Sequence, residues 1–570
     1  MGSLSIRCLD SYYSRKKMKT VLRNNRWLII IFALFIITRF FGLGQFYHQD
    51  EYRWVSIANS AVFGDLSSPH PPIMELSLSL AGRFFGYDDL RVVPFVFSIF
   101  NLLLIYLLAL RLGGKKAAYL AAGFFIVSVY GLIANLQIDI DGAILPFFVL
   151  LSYYFYLKVA VDKDKRFIWL FLTAVVGGFL AKLSFLLFVA ALAAHHLLML
   201  YTDKKFKVEI KKLLILLAVV ILLALGVYVF YNFENSRILE YASGFKVLNF
   251  GSRAYFELFL RLFKFFIWLS PLLFLPLVAG LFKRDFFVRH RVWFIYIFFN
   301  LIFYLVIFDF ARLPIERYFM FIIAPAVLIS VDLLSSFVSK INPSILLRTS
   351  KKHLFFTPGA FLLLLLVTAM ANYEVLPLNP KIAYLDKLKS LNFNFLIPLT
   401  GGSGPIGFYV SAQFILWTWL VSVCTLSVSF FTKKYREMFL MIFIIFGVGY
   451  NILLSSEHLF GNLYGSVDRI TKESTDYVIN NKEIDGVITY YDAGVYYLKI
   501  NNKYDSRFYT APKRDYTIKL TEYRGHYLIV DFPAVDKKSE YWRLISRCNL
   551  DKKFTDKYVD SYIFDCRALP

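Results

Sequence analysis

The feature that most constrains this chain is its run of long apolar blocks, each about 15–27 residues and separated by short polar loops. About 20 consecutive apolar residues are what an α-helix needs to cross the hydrocarbon core of a bilayer. A transmembrane β-barrel would show short alternating segments instead. The composition agrees: 58% of the residues are hydrophobic and 18% charged, against roughly 45–50% and 25% in soluble domains. A disordered chain, a disulfide-framed miniprotein and an ordinary soluble enzyme are excluded. The expectation is an all-α polytopic membrane protein.

Thirteen spans are read, at 27–46, 92–110, 117–134, 142–157, 167–181, 185–201, 213–231, 259–282, 292–308, 317–334, 354–372, 405–431 and 438–455. The net charge of +23 reports topology, not nucleic-acid binding. The polar tail, 456–570, is nearly neutral, and the excess sits in the head, 1–26, and in every second loop after it. Those regions include Arg111-Leu-Gly-Gly-Lys-Lys116, 158–166, 203–212, 283–291, 340–353 and 432–437. Basic loops stay on the cytoplasmic side, so the N-terminus is expected inside and the tail outside. The stretch 167–201 must then be a hairpin broken near Lys182. Residues 1–46 read as an uncleaved anchor.

Three domains follow: a basic cytoplasmic head (1–26), a membrane body (27–455) with a long first outer loop (47–91), and an extracytoplasmic α/β domain (456–570). In the tail, strands are expected at 487–491 and 527–532, a helix at 537–548 and a hairpin over 553–567. Cys548 and Cys566 lie there, in an oxidising compartment if the topology holds, either bridged or as buried thiols. No catalytic motif is evident in the tail, which suits packing, a lid or acceptor docking.

Six polar clusters fall on the outer side, where ionisable groups beside a bilayer are costly and tend to be functional. They are Asp50-Glu51 after the first span; His70-Pro71-Pro72, opening a helix at 73–86; Gln137-Ile-Asp139-Ile-Asp141 between spans three and four; Lys182; Arg261 and Lys264, one helical turn apart; and Asp309-Phe-Ala-Arg312 through Glu316-Arg317-Tyr318. Each has a plainer explanation. Asp50 could be interfacial and Asp141 a helix N-cap. Asp139 reads as solvated or as a helper. Lys182 could snorkel to headgroups, and Arg261 with Lys264 could anchor lipid phosphate. Nucleophile motifs, phosphate-binding Gly loops and a His/Cys zinc pattern are absent from the sequence.

An acidic pair after the first span, a later His-Pro-Pro, an Asp opening the fourth span, a Lys in the fifth-to-sixth turn and an Arg-Tyr opening a later span resemble the GT-C membrane glycosyltransferases. Within them the order is most similar to the protein O-mannosyltransferase and aminoarabinose-transferase branch, best over 27–334. The resemblance implies a GT-C fold and an inverting transferase that takes a sugar from a polyprenyl-phosphate carrier. It implies that Asp50 is the base and that Asp141, in Asp141-Gly-Ala-Ile-Leu-Pro, fills the second acidic position. Lys182 is similar to the basic residue that often follows span five in the family, and Arg317-Tyr318 to an Arg-Tyr that opens a helix with a later Pro, here Ala324-Pro325-Ala326. Glu75 stands where protein mannosyltransferases carry Lys. No Trp-Trp pair occurs, which ranks an oligosaccharyltransferase lower.

The chemistry asked of these residues follows from the reaction. A leaving phosphate gains negative charge and wants cations beside it: Lys182, Arg317, Arg261 and Lys264, with Tyr318. An acceptor hydroxyl needs a base within hydrogen-bond reach: Asp50, with Glu51 and Asp141 as further catalytic candidates. His70, Pro71, Pro72, Asp139 and Arg312 are expected to shape the loops or meet the acceptor, a lipid, a cell-surface glycan or a protein. Asp139-Ile-Asp141 has the form of a weak metal-binding Asp-x-Asp. The resembling branches work without metal, so no metal or other cofactor is expected. A lipid-linked-sugar flippase is the rival reading; transporters place charges and broken helices near the midplane.

Overall fold

The computed structural model describes residues 26–48, 50–60, 70–202, 226, 254–308, 315–338, 359, 363–364, 367–368, 371–378, 381–400, 405–432, 435–505 and 525–568. Seven helices in it are long and apolar enough to cross a membrane: Arg26–Leu43, Val92–Val127, Ile140–Val161, Tyr255–Leu281, Glu316–Ser335, Ala412–Phe431 and Arg436–Phe460. Shorter apolar helices, Phe185–Met199 and Arg291–Ile307, stand beside them. The architecture is that of an integral membrane protein. The expected spans 213–231 and 354–372 fall largely outside the described residues, as does the head before Arg26.

The second and third spans form one hairpin, α1 (Val92–Val127). Its helix is broken at Gly113-Gly114, where Gly114 takes φ +74, a conformation that suits a residue without Cβ. The rings of Phe95 and Phe125 both stack on Phe35, at 6.2 and 6.0 Å, so the two arms run side by side. The hairpin expected around Lys182 is present: one helix ends at Ala181 and the next begins at Phe185.

Two breaks interrupt spans that read as continuous in the sequence. Ser270, just before Pro271, leaves the helical region inside α2 (Tyr255–Leu281), because a proline ring disfavours the helical region for the residue that precedes it. A second break at Ser128 separates α1 from Val129–Leu136. Asn451 closes both. Its side-chain nitrogen donates to Ser270 Oγ at 3.0 Å, and its oxygen accepts from Val129 N at 3.1 Å. Freed backbone groups at membrane depth must be satisfied inside the protein; the asparagine does this for the Val129 N–H, and at the other break it holds the Ser270 hydroxyl.

Two sheets accompany the helices. β1 (Glu374–Val375) pairs parallel with β2 (Phe395–Leu399), which pairs antiparallel with β3 (Phe408–Ser411). β3 occupies the start of the expected span 405–431, so that helix begins only at Ala412. The tail sheet has the order β4-β5-β7-β6, from β4 (Val487–Thr489), β5 (Tyr527–Val530), β6 (Asn549–Asp556) and β7 (Val559–Asp565). The expected strands, hairpin and helix, here Glu540–Ile545, are all present. Helices Val467–Asn480 and Val495–Ile500 are additional. Cys548 and Cys566 form a disulfide. The tail docks on the segment leading to Asp50: Phe46 N donates to Asp468 at 2.9 Å, and the rings of Phe46 and Tyr497 stack at 4.1 Å.

Candidate active site

The site gathers where the loop after the first span meets the ends of several later helices. Asp50 and Glu51 open the helix Asp50–Ser60, where acidic side chains face the positive end of the helix dipole. Successive helical residues diverge by about 100°, and the two carboxylates separate accordingly. Glu51 is fully buried: Oε1 and Oε2 accept from Arg91 at 3.2 and 2.7 Å, and the backbone N–H groups of Ile138 and His48 donate at 3.1 and 3.2 Å. Arg91 also donates to the carbonyls of Gln45 and Phe46. Glu51 therefore ties the first loop to the 137–141 turn and is closed to substrate. Asp50, with a side chain 32% exposed, remains open.

Arg317 joins the first and third clusters. Its Nη1 reaches Asp50 Oδ2 at 2.6 Å and its Nε reaches Asp139 Oδ2 at 2.6 Å. Arg53 pairs with Asp50 from the solvent side at 3.1 Å. Arg317 lies in the short helix Ile315–Tyr318, followed by the 3-10 turn Phe319–Ile322 and then Ile323–Val338. Pro325 accounts for the tighter turn, since it offers no N–H to the carbonyl of Phe321.

Lys182 and Asp141 form the second half. Lys182 Nζ donates to both carboxylate oxygens of Asp141, at 2.7 and 2.6 Å. The Asp141 side chain is 3% exposed and that of Lys182 12%, so this is a buried ion pair and not a headgroup snorkel. The N-cap here is Asp139, whose Oδ1 accepts from Ile140 N at 2.5 Å and Asp141 N at 3.4 Å. Asp139 is buried, not solvated, while Asp141 sits in the following π turn, Ile140–Ile144. Gly142 lets that turn close: a Cβ there would lie 2.3 Å from the carbonyl oxygen of Ala134.

Tyr318 lies between the two halves, its ring centre 5.0 Å from Lys182 Nζ and 4.9 Å from Arg317 Cζ. That is within cation–π range. His70 stacks on Trp54 at 5.6 Å. Desolvation, then the charges of Lys182 and Arg317, push its pKa down to about 3, so it is a neutral imidazole at physiological pH. Pro72 precedes the helix Ile73–Phe85 and its carbonyl accepts from Leu76 N at 2.9 Å. Arg261 and Lys264, on α2, flank Glu316 at 3.6 and 3.8 Å. Arg312 and Asp309 lie outside the described residues. Sequence reasoning missed Arg91, Glu316 as the partner of two cations, and Tyr130, whose hydroxyl donates to the Glu316 carbonyl. The available signal was an Arg just before an apolar run (Arg91) and a Tyr within one (Tyr130).

Residues 69–228 match the family described as dolichyl-phosphate-mannose-protein mannosyltransferase. No curated protein matches the sequence as a whole. The crystal structure of ArnT from Cupriavidus metallidurans in the apo state superposes with a TM-score of 0.52 at 13% identity, over 96% of this chain and 99% of that one. The chain has the GT-C fold. ArnT bound to undecaprenyl phosphate gives a TM-score of 0.48 at 12% identity, over 95% and 98% of the two chains. The Archaeoglobus fulgidus oligosaccharyltransferase gives 0.29 at 11%, over 89% and 68%. The body thus brings together carboxylates and cations from five separate segments, and the tail packs against the segment that leads to Asp50.

Proposed function

We propose that this protein is an inverting glycosyltransferase that moves a sugar from a polyprenyl-phosphate carrier to a hydroxyl of a lipid, glycan or protein acceptor on the outer face of the membrane. The reading places the N-terminus in the cytoplasm and the tail domain outside. The observation that carries it is Arg317 bridging Asp50 and Asp139 beside the Lys182–Asp141 pair. A base and phosphate-binding cations are thereby held at the ends of membrane spans. That is where a lipid carrier can keep its tail in the bilayer and its phosphate at the surface. The class of carrier is that of the undecaprenyl phosphate in the ArnT complex; for this chain the reading rests on the cations.

In this mechanism Asp50, the open carboxylate, takes the proton of the acceptor hydroxyl. The oxygen attacks the anomeric carbon from the face opposite the phosphate, and the C–O bond to phosphate breaks. The carrier leaves as a phosphate monoester, and the sugar is inverted. Charge growing on the phosphate is met by Lys182, whose third N–H is not used by Asp141, and by Arg317, Arg261 and Lys264. A phosphate that draws Arg317 toward itself loosens its hold on Asp50 and makes that carboxylate a better base. Asp139 and Asp141 have Arg317 and Lys182 as counter-charges, which supports a reaction without metal.

The test follows label from a panel of synthetic polyprenyl-phosphate sugars in proteoliposomes with membrane extract as acceptor. Wild type and Asp50→Asn are run side by side, with and without EDTA. Transfer by the wild type alone, unaffected by EDTA, is the expected result. Lipid-linked sugar that changes leaflet without transfer would make the protein a flippase.

A further inference from the structure

The two sets of cations are held differently. Lys182 and Arg317 grip their carboxylates at 2.6 Å. Arg261 Nη1 and Lys264 Nζ stand 3.6 and 3.8 Å from the two oxygens of Glu316, beyond hydrogen-bond reach. Glu316 is 3% exposed, and its Oε2 makes no hydrogen bond among the described residues. The cations are the more open partners, each with a side chain 22% exposed. Tyr130 fixes the Glu316 backbone through its carbonyl, and Lys264 Nζ lies 3.3 Å from Thr400 O and Oγ1. The result is two cations around one loosely engaged, buried carboxylate.

Resting on the transferase reading above, we propose that Glu316 is the resident anion that competes with carrier phosphate for Arg261 and Lys264 and sets how fast the spent carrier leaves. The charge arithmetic gives the reason. A sugar-linked carrier phosphate is a diester with one negative charge. The spent carrier is a monoester with about −1.5 to −2 at neutral pH, its second pKa being near 6. A cation pair with no counter-ion would hold the product more tightly than the donor. One buried carboxylate behind the pair reduces its net charge to +1 and weakens the product most.

The experiment measures binding of synthetic polyprenyl phosphate to the full-length protein in nanodiscs, with steady-state transfer alongside. Glu316→Gln is expected to bind polyprenyl phosphate about tenfold tighter, the scale of one close charge pair. Its kcat should fall through product retention, while binding of the singly charged donor tightens by only about threefold. Glu316→Asp draws the carboxylate back by one methylene and should give an intermediate tightening; it also serves if the Gln variant does not fold. Equal or weaker product binding by both variants overturns the proposal and leaves the transferase reading standing. A wild type that binds neither polyprenyl phosphate nor its sugar-linked form overturns both.

Discussion

The Lys182–Asp141 pair allows structural and chemical roles to be separated. Both side chains are largely buried and joined by two short hydrogen bonds. Lys182→Met leaves the Asp141 carboxylate without its partner, and breaking a buried pair from one side costs about 3–5 kcal/mol. The same change removes a cation from the leaving phosphate. One preorganised group of that kind contributes about 10²–10³ in kcat, or about 2.7–4 kcal/mol. The double variant Lys182→Met/Asp141→Leu replaces the pair with apolar side chains, which is often neutral for stability. The single variant should therefore melt several degrees lower in detergent, and the double variant should return close to wild type. Both should remain at least a hundredfold slower in radiolabel transfer. A double variant transferring at near-wild-type rate would show that the pair is only a strut. A single variant with unchanged melting would show that it is not a buried pair at all.

Three further outcomes are expected. Gly142→Ala places a Cβ against the Ala134 carbonyl, so the π turn must shift; a loss of about 1–3 kcal/mol, read by thermal melting, should accompany a marked loss of transfer as Asp141 moves. Arg91→Met strands Glu51, which is fully buried, and should cost about 3–5 kcal/mol; melting at or above the wild-type temperature would remove the strut assigned to that pair. His70 has its folded pKa pushed down to about 3, so the unfolded chain binds the proton first. Its contribution is complete above about pH 6.5 and is lost as pH falls toward 3. Melting temperature should drop below pH 6.5, and His70→Gln should flatten that slope.

Much of the site is legible in the amino-acid sequence, because the relevant signals are local. Asp50, Asp141, Lys182, Arg261, Lys264 and Arg317 each sit at a span end, and counting spans places them all on one side. The assignment of partners is not legible there. Arg317 lies 267 residues from Asp50, and nothing in either neighbourhood names the other. The same holds for Asn451, which closes helix breaks 181 and 322 residues away. Two local alternatives, an N-cap at Asp141 and a snorkelling Lys182, give way to long-range pairing. Once the fold buries both charges, each needs the other as its counter-charge, since an unpaired buried charge is costly.

Hydropathy and charge alternation by themselves determined a helical membrane body and put the candidate polar residues at the ends of its apolar runs. They act through the length of apolar runs and the cost of moving basic loops across a bilayer. The tertiary structure alone decided that Asp50 is open while neighbouring Glu51 is sealed, and which cation answers which carboxylate. Adjacent residues at the head of one helix point about 100° apart, so only the packing around them, Arg91 on one side and Arg317 on the other, could give two identical-looking acids different work.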